Sequence, residues 1–198
     1  MTQAEVLALC ERYGAYLEGH FRLTSGLHSP KYVQCALVLS EPAVAERLGR
    51  ELAAICPGAP ADFVAAPALG GLIIGHEVAR ALGCRFVFTE REAGGGMTLR
   101  RGFSVEPGER GVVIEDVITT GGSTRETIAA VEAAGARIVG AGAIIDRSRG
   151  VAKIGVPHAA LVTLDVPVYA SENCPLCAAG LPLLKPGSRP AAGARVAP

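Results

Sequence analysis

Glu115 and Asp116 stand side by side, followed by Val117-Ile118 and then Thr119-Thr120-Gly121-Gly122-Ser123-Thr124. Hydroxyls and glycines so grouped suit a phosphate. Glycine lets the backbone turn so that its N–H groups converge. The hydroxyls add donors, and a helix starting here adds partial positive charge. The acids repel a phosphate, so their chemistry is different. They suit ribose hydroxyls, or a metal ion carrying another anion. The stretch reads as a phosphate cradle beside a sugar- or metal-binding acidic pair.

Such a cradle needs a strand before it and a helix after it. Val112-Val113-Ile114 is a short β-branched run that reads as a buried strand ending at the acids. Thr124 to Ala134 reads as a helix, with Ile128 and Val131 as apolar positions and Gly135 as its stop. Further strands are expected at 63–66, 85–89, 138–145 and 161–164. Helices are expected from Ser40, as N-cap with Pro42 in the first turn, to Ile55, and from about 71 to Leu82, with Gly83 as C-cap. Alternating strands and helices predict an α/β fold with a parallel sheet flanked by helices.

The remaining segments read as covers. Gln3 to Tyr16 has amphipathic helical spacing and stops at Gly19. His20 to Gln34 reads as a hairpin turning at Ser25-Gly26, polar and aromatic together, which suits a lid over a ligand. Glu90 to Arg110 holds Gly94-Gly95-Gly96, then a second hairpin pattern. Such a mobile loop would sit above the C-terminal edge of the sheet, where open α/β folds bind ligands. One domain is expected over 1–185, with 1–40 contributing a hood. Residues 186–198, rich in Pro, Gly, Ala and Arg, read as a flexible tail.

Composition narrows the class. The 198 residues are 49% hydrophobic and 19% charged, as in a globular chain. Its 19 basic and 19 acidic residues balance, which argues against a nucleic-acid-coating protein. Tryptophan is absent and aromatics are few, so base-stacking platforms are not expected. No apolar run approaches a membrane span, and Met1-Thr2-Gln3-Ala4-Glu5 lacks the basic start of a signal peptide. A cytoplasmic location is the default expectation, and reduced cysteines agree with it.

No Lys follows the glycines at 121–122, so a Walker A loop is excluded, and no Gly-x-Gly-x-x-Gly follows a strand. Instead, Glu115-Asp116-Val117-Ile118-Thr119-Thr120-Gly121-Gly122-Ser123 resembles the phosphoribosyl pyrophosphate signature of the type I phosphoribosyltransferases. Thr24-Ser25-Gly26-Leu27-His28-Ser29-Pro30, with Tyr32 two beyond, resembles the N-terminal motif of the orotate phosphoribosyltransferases, as does Asp146-Arg147 at a strand end. The likeness runs from Phe21 to about Gly150.

That resemblance implies a small N-terminal hood and a flexible loop over the active site of a type I phosphoribosyltransferase-like fold. It implies transfer of ribose 5-phosphate from phosphoribosyl pyrophosphate to orotate in pyrimidine biosynthesis. It implies that Thr119 to Ser123 hold the 5-phosphate, and that Glu115 and Asp116 hold the ribose hydroxyls. Mg2+ would be bound mainly through substrate, with no protein metal ligands. Ala68, Leu69 and Gly70 would form the pyrophosphate-side loop, and Thr24, Tyr32, Thr119 and Arg147 would contact orotate. The guanidinium fork of Arg147 matches a carboxylate; a salt bridge to Asp146 or Glu115 is its other reading. Asp116 and Arg91 are the catalytic candidates, in a homodimer whose loop serves the neighbouring subunit.

The chain departs from that family at two places. Thr24 stands where a Lys is frequent. The run Glu90-Arg91-Glu92-Ala93-Gly94-Gly95-Gly96 is short and lacks Lys and His, leaving Arg91, then Arg100 and Arg101, as cations. Arg is a poor proton donor near neutral pH, so charge neutralisation should dominate catalysis. Two other classes compete: a phosphoribosyltransferase for another base, and a non-catalytic nucleotide-binding regulator of the same fold.

Cys174 and Cys177 form a Cys-x-x-Cys pair, half of a structural zinc site. Completing it would need His158, another Cys or a partner subunit, so the preferred reading is a turn carrying two thiols. His20, His28, His76 and His158 are singletons. His28 lies in the hairpin and is a candidate for substrate contact, whereas His76 fits a structural role.

Overall fold

The computed structural model describes residues 1–23 and 25–186. The chain runs α1 (Gln3–Arg12), β1 (Tyr16–Arg22), β2 (His28–Val33), α2 (Cys35–Val38), α3 (Pro42–Ile55), β3 (Phe63–Pro67), α4 (Gly71–Leu82), β4 (Arg85–Arg91), β5 (Met97–Leu99), β6 (Arg110–Ile118), α5 (Gly122–Ala133), β7 (Arg137–Asp146), β8 (His158–Thr163), a 3-10 turn (Ser171–Asn173) and α6 (Pro175–Ala178).

The main sheet has the order β5-β4-β3-β6-β7-β8. All neighbours are parallel except the β4–β5 pair. From β3 the chain winds outward through α4 to β4; from β6 it winds the other way through α5 to β7. The order therefore reverses between β3 and β6, which opens a crevice at the carboxyl ends of those strands.

Strand alternation sends side chains to both faces. Val64, Val112, Ile114 and Ile144 join Leu48, Leu52, Ile74 and Val78 in the core beneath α3 and α4. Phe63, Ala65, Val113, Ala141 and Ala143 join Ile128 and Val131 beneath α5. Burial on both faces explains why the strands read as continuous apolar runs.

Several expectations need correction. The first helix stops at Arg12, and Tyr16 and Gly19 belong to β1. Gly14 takes the left-handed conformation (φ +64°) and breaks the helix early. Ser40 does not cap α3; its hydroxyl bonds the Leu37 carbonyl, and Glu41 is the N-cap. The hairpin expected within 97–105 is instead β4 with β5, turning through the glycines. The strand before the cradle does not end at the acids: β6 runs on to Ile118, so Glu115 and Asp116 lie inside it. Thr24 lies outside the described residues, as does 187–198 of the expected tail.

The β7 backbone passes so close to the 57–58 turn that a Cβ on Gly140 would sit 1.9 Å from the Pro57 carbonyl oxygen. Backbone cannot yield as a side chain can. Gly140→Ala should therefore lower stability by about 2 kcal/mol or more in urea unfolding; an unchanged midpoint would contradict this packing.

Candidate functional site

Three strand ends build the site. β3 delivers the loop Pro67-Ala68-Leu69-Gly70, β6 delivers the acids and the cradle, and β7 delivers Asp146-Arg147. The hairpin β1–β2 stands over them.

The cradle is a cavity of about 200 Å³ lined by Arg91, Glu115, residues 117–124 and Glu126. Gly121 is the N-cap of α5, in the left-handed conformation (φ +74°). A Cβ there would also meet Ile154 Cγ2 at 2.5 Å. The first helical bond of α5 runs from the Arg125 N–H to the Gly121 carbonyl at 2.9 Å. The N–H groups of Gly122, Ser123 and Thr124 precede it and are left for an anion.

A second cavity, of about 710 Å³, adjoins the first. Both share Val117, Thr119 and Thr120. Its walls include Leu23, Leu27 and Tyr32 from the hood, Asp116 and Arg147 from the sheet edge, and Val166 and Val168 from the C-terminal segment. The volume lies within the range of small-molecule sites.

Arg147 sits in this second cavity. Its Nε is buried with no hydrogen-bond partner among the described residues, and its Nη2 donates to Ser29 Oγ at 3.3 Å. No salt bridge forms between it and any carboxylate among the described residues, so the pairing with Asp146 or Glu115 is not formed. Asp146 instead accepts from the Ser148 N–H at 2.6 Å and lies 3.8 Å from His158 Nε2. Burial lowers the Arg147 pKa from its ordinary value. A cation held out of water with an unused donor is costly unless an anion joins it.

The acids show the opposite imbalance. Burial, reinforced by Asp116, pushes Glu115 up to about 9. Burial also raises Asp116, although its Oδ1 accepts from the Val117 N–H at 2.9 Å. The loop after β3 closes on this pair: a Cβ on Gly70 would lie 2.5 Å from Asp116 Oδ1. The Ala68–Leu69 peptide in that loop is cis.

Other candidates are placed as follows. Arg91 stands on the lip of its own chain's cradle, with Nη2 2.6 Å from Glu126 Oε2. Arg101 is held by Glu90 through two bonds of 2.8 Å each. The Tyr32 hydroxyl donates to Gln34 Oε1 at 3.1 Å on the cavity wall. His28 lines neither cavity and is buried against His20. Leu23, Leu27, Val166 and Val168 were not singled out in the sequence; only their apolar character could have pointed to them.

A parallel sheet whose order reverses over a glycine- and hydroxyl-lined turn and an acidic pair defines a class of open α/β folds with a crevice for ligands at the strand ends. The family described as "Phosphoribosyl transferase domain" matches residues 39–157. An orotate phosphoribosyltransferase of Pelotomaculum thermopropionicum is 56% identical over 189 residues, covering 96% of this chain and 99% of that one. The crystal structure of orotate phosphoribosyltransferase from Aeropyrum pernix superposes with a TM-score of 0.68 at 26% identity, covering 80% of this chain and 93% of that one. Orotate phosphoribosyltransferase of Mycobacterium tuberculosis, solved in complex with 5-phospho-alpha-D-ribosyl 1-diphosphate, superposes with a TM-score of 0.60 at 26% identity, covering 82% of this chain and 96% of that one. The chain belongs to the orotate phosphoribosyltransferase family. No helix among the described residues is long and apolar enough to cross a membrane.

Glu115 supplies a pH test. Between about 4.5 and 9 the unfolded chain holds this group ionised while the folded chain keeps its proton. Stability must then fall as pH rises across that interval. Glu115→Gln removes the penalty. The Tm of the unsubstituted chain should drop relative to E115Q with rising pH; parallel curves would contradict the assignment.

Proposed function

We infer that the chain transfers the 5-phosphoribosyl group from phosphoribosyl pyrophosphate to orotate, releasing orotidine 5'-monophosphate and pyrophosphate. The observation that carries this reading is Arg147: a shielded guanidinium with an unused donor, in a cavity joined to a phosphate cradle. Orotate brings a carboxylate to it; a purine acceptor brings none. A second phosphoribosyltransferase substrate class therefore leaves Arg147 unexplained.

In this reading residues 119–123 hold the 5-phosphate through backbone N–H groups and hydroxyls. Glu115 and Asp116 accept from the ribose 2- and 3-hydroxyls. Ala68, Leu69 and Gly70 border the leaving pyrophosphate, beside Asp116. Tyr32, Thr119 and Arg147 orient orotate, with Thr24 as a further expected contact. A ring nitrogen of orotate attacks the anomeric carbon as its bond to pyrophosphate breaks. Positive charge develops on the sugar and negative charge on the leaving group, so geometry and neutralisation do most of the catalysis. Arg91, on the cradle lip, suits neutralisation, because a guanidinium is a poor proton donor near neutral pH. Closing the hood and the glycine loop would exclude water from the donor.

Mg2+ would be carried in by the substrate rather than held by protein ligands; the Glu115–Asp116 oxygens lie beside where it would arrive, and ionised carboxylates suit it. When bound, Mg2+ neutralises pyrophosphate charge. The homodimer belongs to this reading through the resemblance of the motifs, and a cytoplasmic location as the default expectation.

Arg147→Ala should raise KM for orotate at least tenfold while leaving KM for the ribose donor nearly unchanged; a loss of about 1.4 kcal/mol or more at a charge-assisted contact corresponds to that factor. Equal rises in both would remove its role. Arg91→Ala should cut kcat with little change in donor affinity. Mixing R91A with G121A, whose cradle is blocked, tests the dimer: recovered activity supports a loop acting across subunits, and none supports Arg91 acting on its own cradle.

A further inference from the structure

Cys174 and Cys177 are not alone. His20 on β1 and His28 on β2 reach them, and all four ligand atoms lie within 4.8 Å of one another. The sequence favours a turn carrying two thiols, with His158 as one of three candidates for completing a site; His158 is elsewhere, beside Asp146. His20 Nε2 lies 3.0 Å from His28 Nδ1, 3.6 Å from Cys174 Sγ and 3.7 Å from Cys177 Sγ. His28 Nδ1 lies 3.3 Å from Cys177 Sγ. A zinc ion bound at its usual Zn–N and Zn–S lengths sets tetrahedral ligand edges of about 3.3 to 3.8 Å. The observed edges approach those values.

Hydrogen bonding alone does not satisfy this cluster. His20 Nδ1 lies 2.9 Å from the Leu181 carbonyl, which can only accept, so Nδ1 carries the proton. Nε2 then has one lone pair. Two thiols and the His28 ring nitrogen all converge on it, and one lone pair serves one good bond. A cation accepts all four donors at once. The Leu181 bond is also the outer contact that orients a metal-bound imidazole. Both cysteines are unpaired thiols, and three of the four residues are buried.

We propose that His20 Nε2, His28 Nδ1, Cys174 Sγ and Cys177 Sγ bind one structural Zn2+. Binding displaces two thiol protons to solvent, and the two thiolates balance the ion's charge. Nitrogen and sulfur donors select zinc over Mg2+ or Ca2+. Four protein ligands leave no open position, so the ion takes no part in the transfer reaction. It fastens the hood to the C-terminal segment. The same two parts already share backbone bonds: His28 and Tyr169 exchange N–H and carbonyl at 2.8 and 2.9 Å, and the Arg22 N–H meets the Leu184 carbonyl at 2.8 Å. His20 and His28 bracket the turn that carries Leu23 and Leu27; Val166 and Val168 precede Cys174. The ion thus ties together opposite walls of the larger cavity. This inference does not rest on the identity of the base.

The test uses the full chain, incubated with Zn2+ and then dialysed against metal-free buffer without chelator. Elemental analysis should give about one zinc per chain. The double variant Cys174→Ser/Cys177→Ser should retain under a tenth of that, while Cys84→Ser, outside the cluster, retains it all. So that unfolding of the double variant cannot mimic loss of the site, the unsubstituted chain is also loaded with Co2+. Thiolate-to-cobalt charge transfer and intense tetrahedral ligand-field bands are expected. Zinc absent from the unsubstituted chain, zinc kept by the double variant, or a weak octahedral cobalt spectrum would each overturn the proposal.

Discussion

The site depends on unbalanced charge at one edge of a sheet. Glu115 and Asp116 lie inside β6 with no cation paired to them among the described residues, and Arg147, one strand over, has no carboxylate among them. Burial raises the acids and lowers the guanidinium. Each imbalance is a cost carried by the folded chain. Pairing the groups with each other would remove the cost, but the structure keeps them apart. Asp146 is engaged by the Ser148 N–H, and Gly70 closes against Asp116. The folded state is thus arranged for two ligand features of opposite kind: a donor of hydrogen bonds or a cation at the acids, and an anion at Arg147. In the proposed reading, a ribosyl donor and a carboxylated base supply both.

The sheet makes this possible because its chain order reverses between β3 and β6. Burial of both faces, under α3 and α4 on one side and α5 on the other, fixes the strand register. Register in turn fixes which residues emerge at the carboxyl edge. Binding energy can then be spent on orientation and charge neutralisation rather than on assembling the site.

The strand, turn and helix of residues 112–124 were legible because their signals are local. An apolar β-branched run, a glycine at a left-handed cap and an apolar helical spacing stand next to one another in the chain. The ends of α4 and the positions of β3 and β7 were readable for the same local reason. Three features were not. The length of β6 depends on pairing Glu115 and Val117 with Ala143 and Ile145, which no local pattern announces. The walls given by Val166 and Val168 depend on where the C-terminal segment returns. The companions of Cys174 and Cys177 lie in the first hairpin, far away in sequence, and each alone reads as an isolated histidine. Only the β1–β2 pairing and the bridge between His28 and Tyr169 bring them together.

The central claim is that cradle and carboxylate pocket form one catalytic site. It is tested most directly by mixing the chain with Mg2+, phosphoribosyl pyrophosphate and either orotate or uracil, and following loss of the base by its absorbance. The account predicts turnover of orotate and little or none of uracil, which lacks the carboxylate that Arg147 awaits. No turnover of orotate, or equal turnover of the two, would contradict it.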